Sequence, residues 1–157
     1  MRDLFGKTTS IRESHFRMTL PGTWVTWFDQ ANERWNFNTE SEQITVSLMG
    51  IQPGLTLEAR LELLQKMVHL RRQAELNVAT GVRLGEVTYA SIGPMHLARY
   101  EASGPESDRL STCLLMMNNS VLGSFFSETS GLSAAEFESR GRSAFNSIQL
   151  AETRAPK

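Results

Sequence analysis

Apolar and polar positions alternate along most of this chain, and in two stretches the period lengthens to between three and four. Phe16, Met18 and Leu20 alternate with His15, Arg17 and Thr19, the pattern of a half-buried strand, and Pro21-Gly22 ends it. An aromatic stretch follows, Trp24-Val25-Thr26-Trp27-Phe28. Trp35 and Phe37 then alternate with polar neighbours, Thr39–Glu42 turns the chain, and Ile44, Val46 and Leu48 alternate again, which predicts a hairpin.

Pro53-Gly54 breaks this pattern, and Thr56 is placed to cap a long helix. Leu57, Leu61, Leu64 and Val68 form its inner stripe, widened by Leu63, Met67, Leu70 and Ala74. Acidic Glu58 and Glu62 near its start and basic Lys66, Arg71 and Arg72 toward its end suit the helix dipole. Four strands are predicted next, over 82–92, 95–102, 109–117 and 121–128, with turns at Gly93-Pro94, Ser103-Gly104-Pro105 and Asn118-Asn119. The Asn pair suits a tight turn because Asn tolerates positive φ. Leu114–Met117 and Phe125-Phe126 lose the alternation, so these strands are expected at the centre of a sheet covered on both sides. Ser133 and Glu136 form a capping box for a closing helix whose inner stripe is Phe137, Gly141, Ala144, Phe145 and Ile148.

The pattern therefore predicts an α+β protein. A single antiparallel sheet of about six to seven strands is flanked by helices near 56–79 and 133–150, all in one domain over 15–150. Residues 1–14 are expected as a flexible arm and 151–157 as a disordered tail.

Length and composition agree, since a chain of 157 residues that is 40% hydrophobic buries roughly 70% of its unfolded surface as one domain. Sixteen Lys and Arg nearly balance seventeen Asp and Glu, so no charge excess points to nucleic acid. Cys113 is the only cysteine, which excludes an internal disulfide. Met1–Lys7 lacks the apolar core of a signal peptide, and no apolar run approaches the ~20 residues of a bilayer span. A cytoplasmic location without membrane insertion is expected.

Candidate chemistry is sparse. Three dispersed His and one Cys match no metal-ligand spacing, and neither a phosphate loop nor a Gly-x-Ser-x-Gly elbow is present. No cofactor, metal or catalytic residue is predicted. His69 shares the polar helix stripe with Glu58, Glu62 and Arg72, and His15 is expected to be exposed. His96 shares a strand face with Ala98, Tyr100 and Ala102, and with Cys113 two strands along it raises a thiol dyad as one reading. Buried, inert Cys is the alternative. Asn118-Asn119-Ser120 matches a glycosylation sequon but reads more simply as a turn. Trp24, Trp27, Phe28 and Trp35 place four large aromatics within twelve residues. They either cap the core beneath the first hairpin or form a partner-binding surface, because Trp and Phe are enriched in interface cores. Met95, Met116 and Met117 are read as sheet core or as a groove that can repack.

The segment Phe16-Arg17-Met18-Thr19-Leu20-Pro21-Gly22-Thr23-Trp24 resembles the opening of the PsbP-like α/β sandwich family, which includes the bacterial DcrB-like domains. The meander from Gly93-Pro94 and the closing helix with Phe137, Phe145 and Ile148 are similar too, so the resemblance spans about 15–150. It implies a sheet flanked by helices and mostly non-enzymatic binding roles, with no catalytic residues to carry over. Members include photosystem subunits, a nuclear-transport GTPase cofactor, envelope lipoproteins and cytosolic adaptor chaperones of type VI secretion effectors. The lipoprotein signal and lipidation cysteine are not found, and Asp29 lies five residues after Trp24, where the adaptor chaperones carry an Asp sooner.

Three functions are weighed on these grounds. The first is a non-enzymatic protein-binding accessory factor, an immunity protein or adaptor chaperone for a cognate toxin or effector, with a homodimer open. The second is a binder of a small apolar ligand between sheet and helix. The third, ranked last, is an enzyme using His96 and Cys113.

Overall fold

The structure is a computed structural model and describes residues 7–78, 80–104 and 109–151. Alternating segments pair as strands β1 (Thr8–Arg12), β2 (Phe16–Pro21), β3 (Val25–Asp29), β4 (Arg34–Asn38) and β5 (Glu42–Gly50). Helix α1 (Leu57–Val78) follows, then β6 (Arg83–Leu84), β7 (Thr88–Ile92), β8 (Met95–Ser103), β9 (Leu110–Met117) and β10 (Val121–Thr129). Helix α2 (Ala134–Asn146) and β11 (Gln149–Leu150) close the described chain.

The strands form two antiparallel sheets, not the single one expected. Eight strands run in the order β3-β4-β5-β10-β9-β8-β6, with β7 sharing the β8 edge with β6. The second sheet is β1-β2-β11. Its flanking strands are hard to see in sequence. β1 buries one large apolar side chain, Ile11, and Thr9 joins it to the rest: its hydroxyl donates to the Gly22 carbonyl at 2.8 Å and accepts from Trp24 N at 3.0 Å. Thr8–Arg12 thus leave the expected flexible arm for the sheet; residues 1–6, and all of the expected tail except Ala151, lie outside the described residues.

α2 ends four residues before the expected boundary. The Ser147 hydroxyl lies 2.6 Å from the Ala144 carbonyl and accepts from Thr19 N at 2.8 Å, so the chain turns onto β2 as β11. The predicted strand over 82–92 is split by a bulge: Gly85, Glu86 and Val87 face only Glu101 and Tyr100 of β8, and the Gly85 N–H reaches the Glu101 carbonyl at 2.6 Å. A Cβ there would lie 3.1 Å from that oxygen.

β9 and β10 do sit at the centre. Leu114, Met116, Val121 and Phe125 join a core with the small sheet and α2, while Cys113, Leu115, Met117 and Leu122 join a second core with Leu64 and Val68 of α1. The helix caps are as expected in outline. Ala59 N donates to Thr56 Oγ1 at 3.1 Å and Glu136 N to Ser133 Oγ at 3.2 Å; the Glu136 carboxylate accepts from the Ser133 hydroxyl rather than from its backbone.

The α1 stripe is narrower than its Leu content suggests. Leu61 is half-buried, Leu57 and Leu70 are exposed, and so is Ala74. Leu57 begins the helix, at the end of its stripe, and Leu70 lies about 120° around the axis from Leu64 at ~100° per residue. At the β9–β10 turn neither Asn has positive φ, and Glu33 is the only described non-glycine residue that does. Asn118 instead works through its side chain: Oδ1 accepts from Ser120 N and Val121 N at 2.9 and 2.8 Å, and Nδ2 donates to the Leu150 carbonyl at 3.3 Å.

Candidate functional site

The four clustered aromatics divide into two pairs. Trp24 precedes β3, is buried, and donates from Nε1 to the Pro21 carbonyl at 2.8 Å. Trp35 on β4 is half-buried, with its ring edge-on to Phe16 at 5.2 Å. These two belong to the core. Trp27 and Phe28 on β3 are 49% and 46% exposed, and Val25 is 68% exposed. Adjacent strand residues point to opposite faces. Phe28 lies opposite Trp35 in the register, with ring centroids 5.0 Å apart, whereas Trp27 lies opposite Asn36 on the α1 face.

β3 is also an edge. One side pairs with β4, and no strand among the described residues pairs with the other. It carries no Lys or Pro, and its one charge, Asp29, is at its end. These are the features that would otherwise discourage strand addition. At the opposite side of the sheet, β7 is exposed throughout, including Tyr89 and Ile92.

A second concave region lies between α1 and the sheet. Beneath the middle of α1 the floor is large and apolar, with Leu115, Met117 and Leu122. Under the C-terminal half the same strands present Thr45, Ser47, Ser111 and Ser124, and the helix presents Arg71, Ala74 and Glu75. Small hydroxyl side chains cannot fill the space that Leu and Met fill. A groove of about 540 Å³ results, walled on its apolar side by Phe126, Val82 and Ala102.

Among the described residues, five charged side chains line this groove. Arg109 pairs with Glu128 at 3.1 Å, and Glu75 accepts a hydrogen bond from the Tyr100 hydroxyl. Arg71 stacks over the Phe126 ring, Cζ 5.2 Å from its centroid, and its Nε is buried without a hydrogen-bond partner. Neither Arg71 nor Arg34 is in an ion pair among the described residues. Burial raises the pKa of the Tyr100 phenol, as do the neighbouring Cys113 thiol and Glu75. Burial also raises that of the Cys113 thiol, with Arg71 opposing it.

His96 and Cys113 share the sheet face but are not brought together. Cys113 lies opposite Tyr100, and His96 lies opposite Met117, four residues along β9, about 13 Å at roughly 3.3 Å per residue. His96 Nδ1 is instead 2.8 Å from the Ser91 hydroxyl. His69 is exposed, while His15 is half-buried rather than exposed, because it sits at the β1–β2 turn where its carbonyl accepts from Ala151 N. Among the described residues no three His, Cys, Asp or Glu cluster as metal ligands, and no helix is long and apolar enough to cross a membrane. The sequence reading missed Arg34 and Arg71 as groove residues. Its available signal was the change from Leu and Met to Ser and Thr along β5, β9 and β10.

No protein-family model and no curated protein matches the sequence. Solved structures do match in fold. The solution structure of cyanobacterial PsbP (CyanoP) from Synechocystis sp. PCC 6803 aligns with a TM-score of 0.69 at 11% identity, covering 96% of this chain and 98% of that one. The crystal structure of the Ran-binding protein Mog1p of Saccharomyces cerevisiae aligns with a TM-score of 0.51 at 10% identity, covering 94% and 97%. With its two helices on a large antiparallel sheet, the chain has the PsbP-like fold.

Proposed function

We propose that the protein is a non-enzymatic accessory factor that binds a protein partner by taking an extended segment of it as a new strand beside β3. The observation that carries this reading is the β3 edge, unpaired among the described residues, with Trp27 on one face and Phe28 on the other, both about half exposed. A strand added there gains main-chain hydrogen bonds along the edge, and its alternating side chains meet Trp27 on one face and Phe28 on the other. Large apolar groups side by side on a free edge are uncommon unless something covers them. Mog1p, of similar fold, is a Ran-binding protein, which supports a protein partner for this architecture. Within this reading the partner is a toxin or effector met in the cytoplasm, for which the protein acts as immunity protein or adaptor chaperone.

The test is co-expression with the product of the neighbouring gene, followed by affinity measurements on Trp27→Ala and Phe28→Ala. A hot-spot aromatic contributes at least ~2 kcal/mol, so each folded variant should bind roughly thirtyfold more weakly. Unchanged affinity would refute the site. Sedimentation as a dimer that either substitution dissociates would show that β3 pairs with a second copy instead.

A further inference from the structure

We infer that the groove beneath the C-terminal half of α1 binds a small organic anion, a carboxylate carried on a compact aromatic or aliphatic body. This goes beyond the β3 edge and does not depend on it.

The size is right for such a ligand: about 540 Å³ falls within the roughly 300–1,000 Å³ of small-molecule sites. The charge is right as well. Three arginines and two glutamates line the groove, leaving one net positive charge among the described lining residues. Both glutamates are engaged, Glu128 with Arg109 and Glu75 with the Tyr100 hydroxyl. Neither Arg34 nor Arg71 is in an ion pair among the described residues, and the carboxylate beside Arg34 is that of Asp29, its cross-strand partner, whose pKa is lowered mainly by Asn32 and to a smaller degree by Arg34. A guanidinium presents a planar fork of donors that matches a carboxylate, and the match strengthens where water is partly excluded. Arg71 is held in place by its stacking on Phe126, so its ordering cost is already met before a ligand arrives.

The same features argue against other occupants. A wholly apolar molecule would strip water from the Ser and Thr floor and from two guanidiniums without replacing their hydrogen bonds. A cation would meet Arg34 and Arg71 directly. Phe126 and Ala74 supply a wall for the ligand body, and Ser124 and Ser47 can bond to polar atoms on it.

The experiment compares three probes with one body: 2-naphthoate, 2-naphthylmethanol and 2-naphthylmethylammonium. Each is titrated into the full-length protein and followed by calorimetry and amide chemical shifts. The carboxylate should bind about tenfold or more tightly than the alcohol, as one charge-assisted pair implies, and the ammonium should not bind. Shifts should centre on Phe126, Ser124 and α1. Arg34→Gln, at an exposed position, should narrow the preference for carboxylate over alcohol, with Arg71 keeping the remainder. Ala74→Trp, also exposed, should block all binding while leaving the thermal midpoint unchanged. Trp27→Ala should bind naphthoate as the wild type does. Equal binding of alcohol and carboxylate, no binding at millimolar naphthoate, or binding that survives Ala74→Trp would each overturn the proposal.

Discussion

Arg140 of α2 closes on Glu42 at the start of β5, with Nη2 2.6 Å and Nε 2.7 Å from the same carboxylate oxygen, and its Nη2 also donates to the Pro21 carbonyl at 3.0 Å. One guanidinium thus ties the second helix to both sheets. The Glu42 side chain is only 4% exposed. Burial pushes its pKa up, and Arg140 pulls it down less strongly. A carboxyl with a raised folded-state pKa holds its proton more tightly when folded. Its contribution therefore favours the fold below the unfolded value, near 4.5, and is lost as pH rises through the folded value. Arg140→Met should destabilise the protein by about 2 kcal/mol at pH 7, because it leaves a buried carboxylate unpaired. The loss should shrink as pH falls and Glu42 takes up a proton. Urea titrations at pH 7 and pH 4 check this, and an equal loss at both would contradict it.

The division of the aromatic cluster predicts opposite outcomes for similar substitutions. Trp24→Ala and Trp35→Ala remove core rings and should cost about 3–5 kcal/mol where the site is fully packed, less for half-buried Trp35. Trp27→Ala and Phe28→Ala should stay within about 1 kcal/mol of wild type. Thermal melts of the four variants decide between them.

Gly123 on β10 has no room for a side chain. A Cβ would meet Phe125 Cε1 at 2.8 Å and Leu48 Cδ2 at 3.1 Å, and Phe125 is fully buried. Gly123→Ala should therefore destabilise by about 1–3 kcal/mol through overpacking. Leu64→Ala, at the best-buried leucine of α1, should cost about 2–5 kcal/mol for the opposite reason, a cavity. Chemical denaturation gives both values.

Cys113 should be inert in the native state. Its thiol is 1% exposed and burial raises its pKa, so little thiolate is present and little of it can be reached. At pH 8 a disulfide reagent should react only at the rate of unfolding, and fully in denaturant. Prompt reaction in native buffer would show that α1 opens locally.

Much of this was written in local pattern. Leu114–Met117 and Phe125-Phe126 announce central strands because a residue apolar on both faces needs cover on both. Thr56 and Ser133 announce helix starts because a cap is made within a few residues. β1 and β11 left no such trace: Ile11 alone supplies the large apolar anchor in one, and the other pairs only Gln149 and Leu150 with Arg17 and Phe16. The aromatic cluster was visible as composition, yet its division was not, since Trp24 and Trp27 differ only in where the chain turns before β3.

By itself, then, the sequence determined the α+β class, the two helices, the central strands and the lack of a recognisable catalytic motif, all of which follow from residues close together in the chain. The tertiary structure alone decided that Trp27 and Phe28 flank a strand edge unpaired among the described residues and that Arg34, Arg71, Ser111 and Ser124 meet around one groove. Those four residues lie on β4, α1, β9 and β10, and a groove forms where contributions from distant segments fail to fill space. Periodicity reports which face a residue takes, but not what stands opposite it.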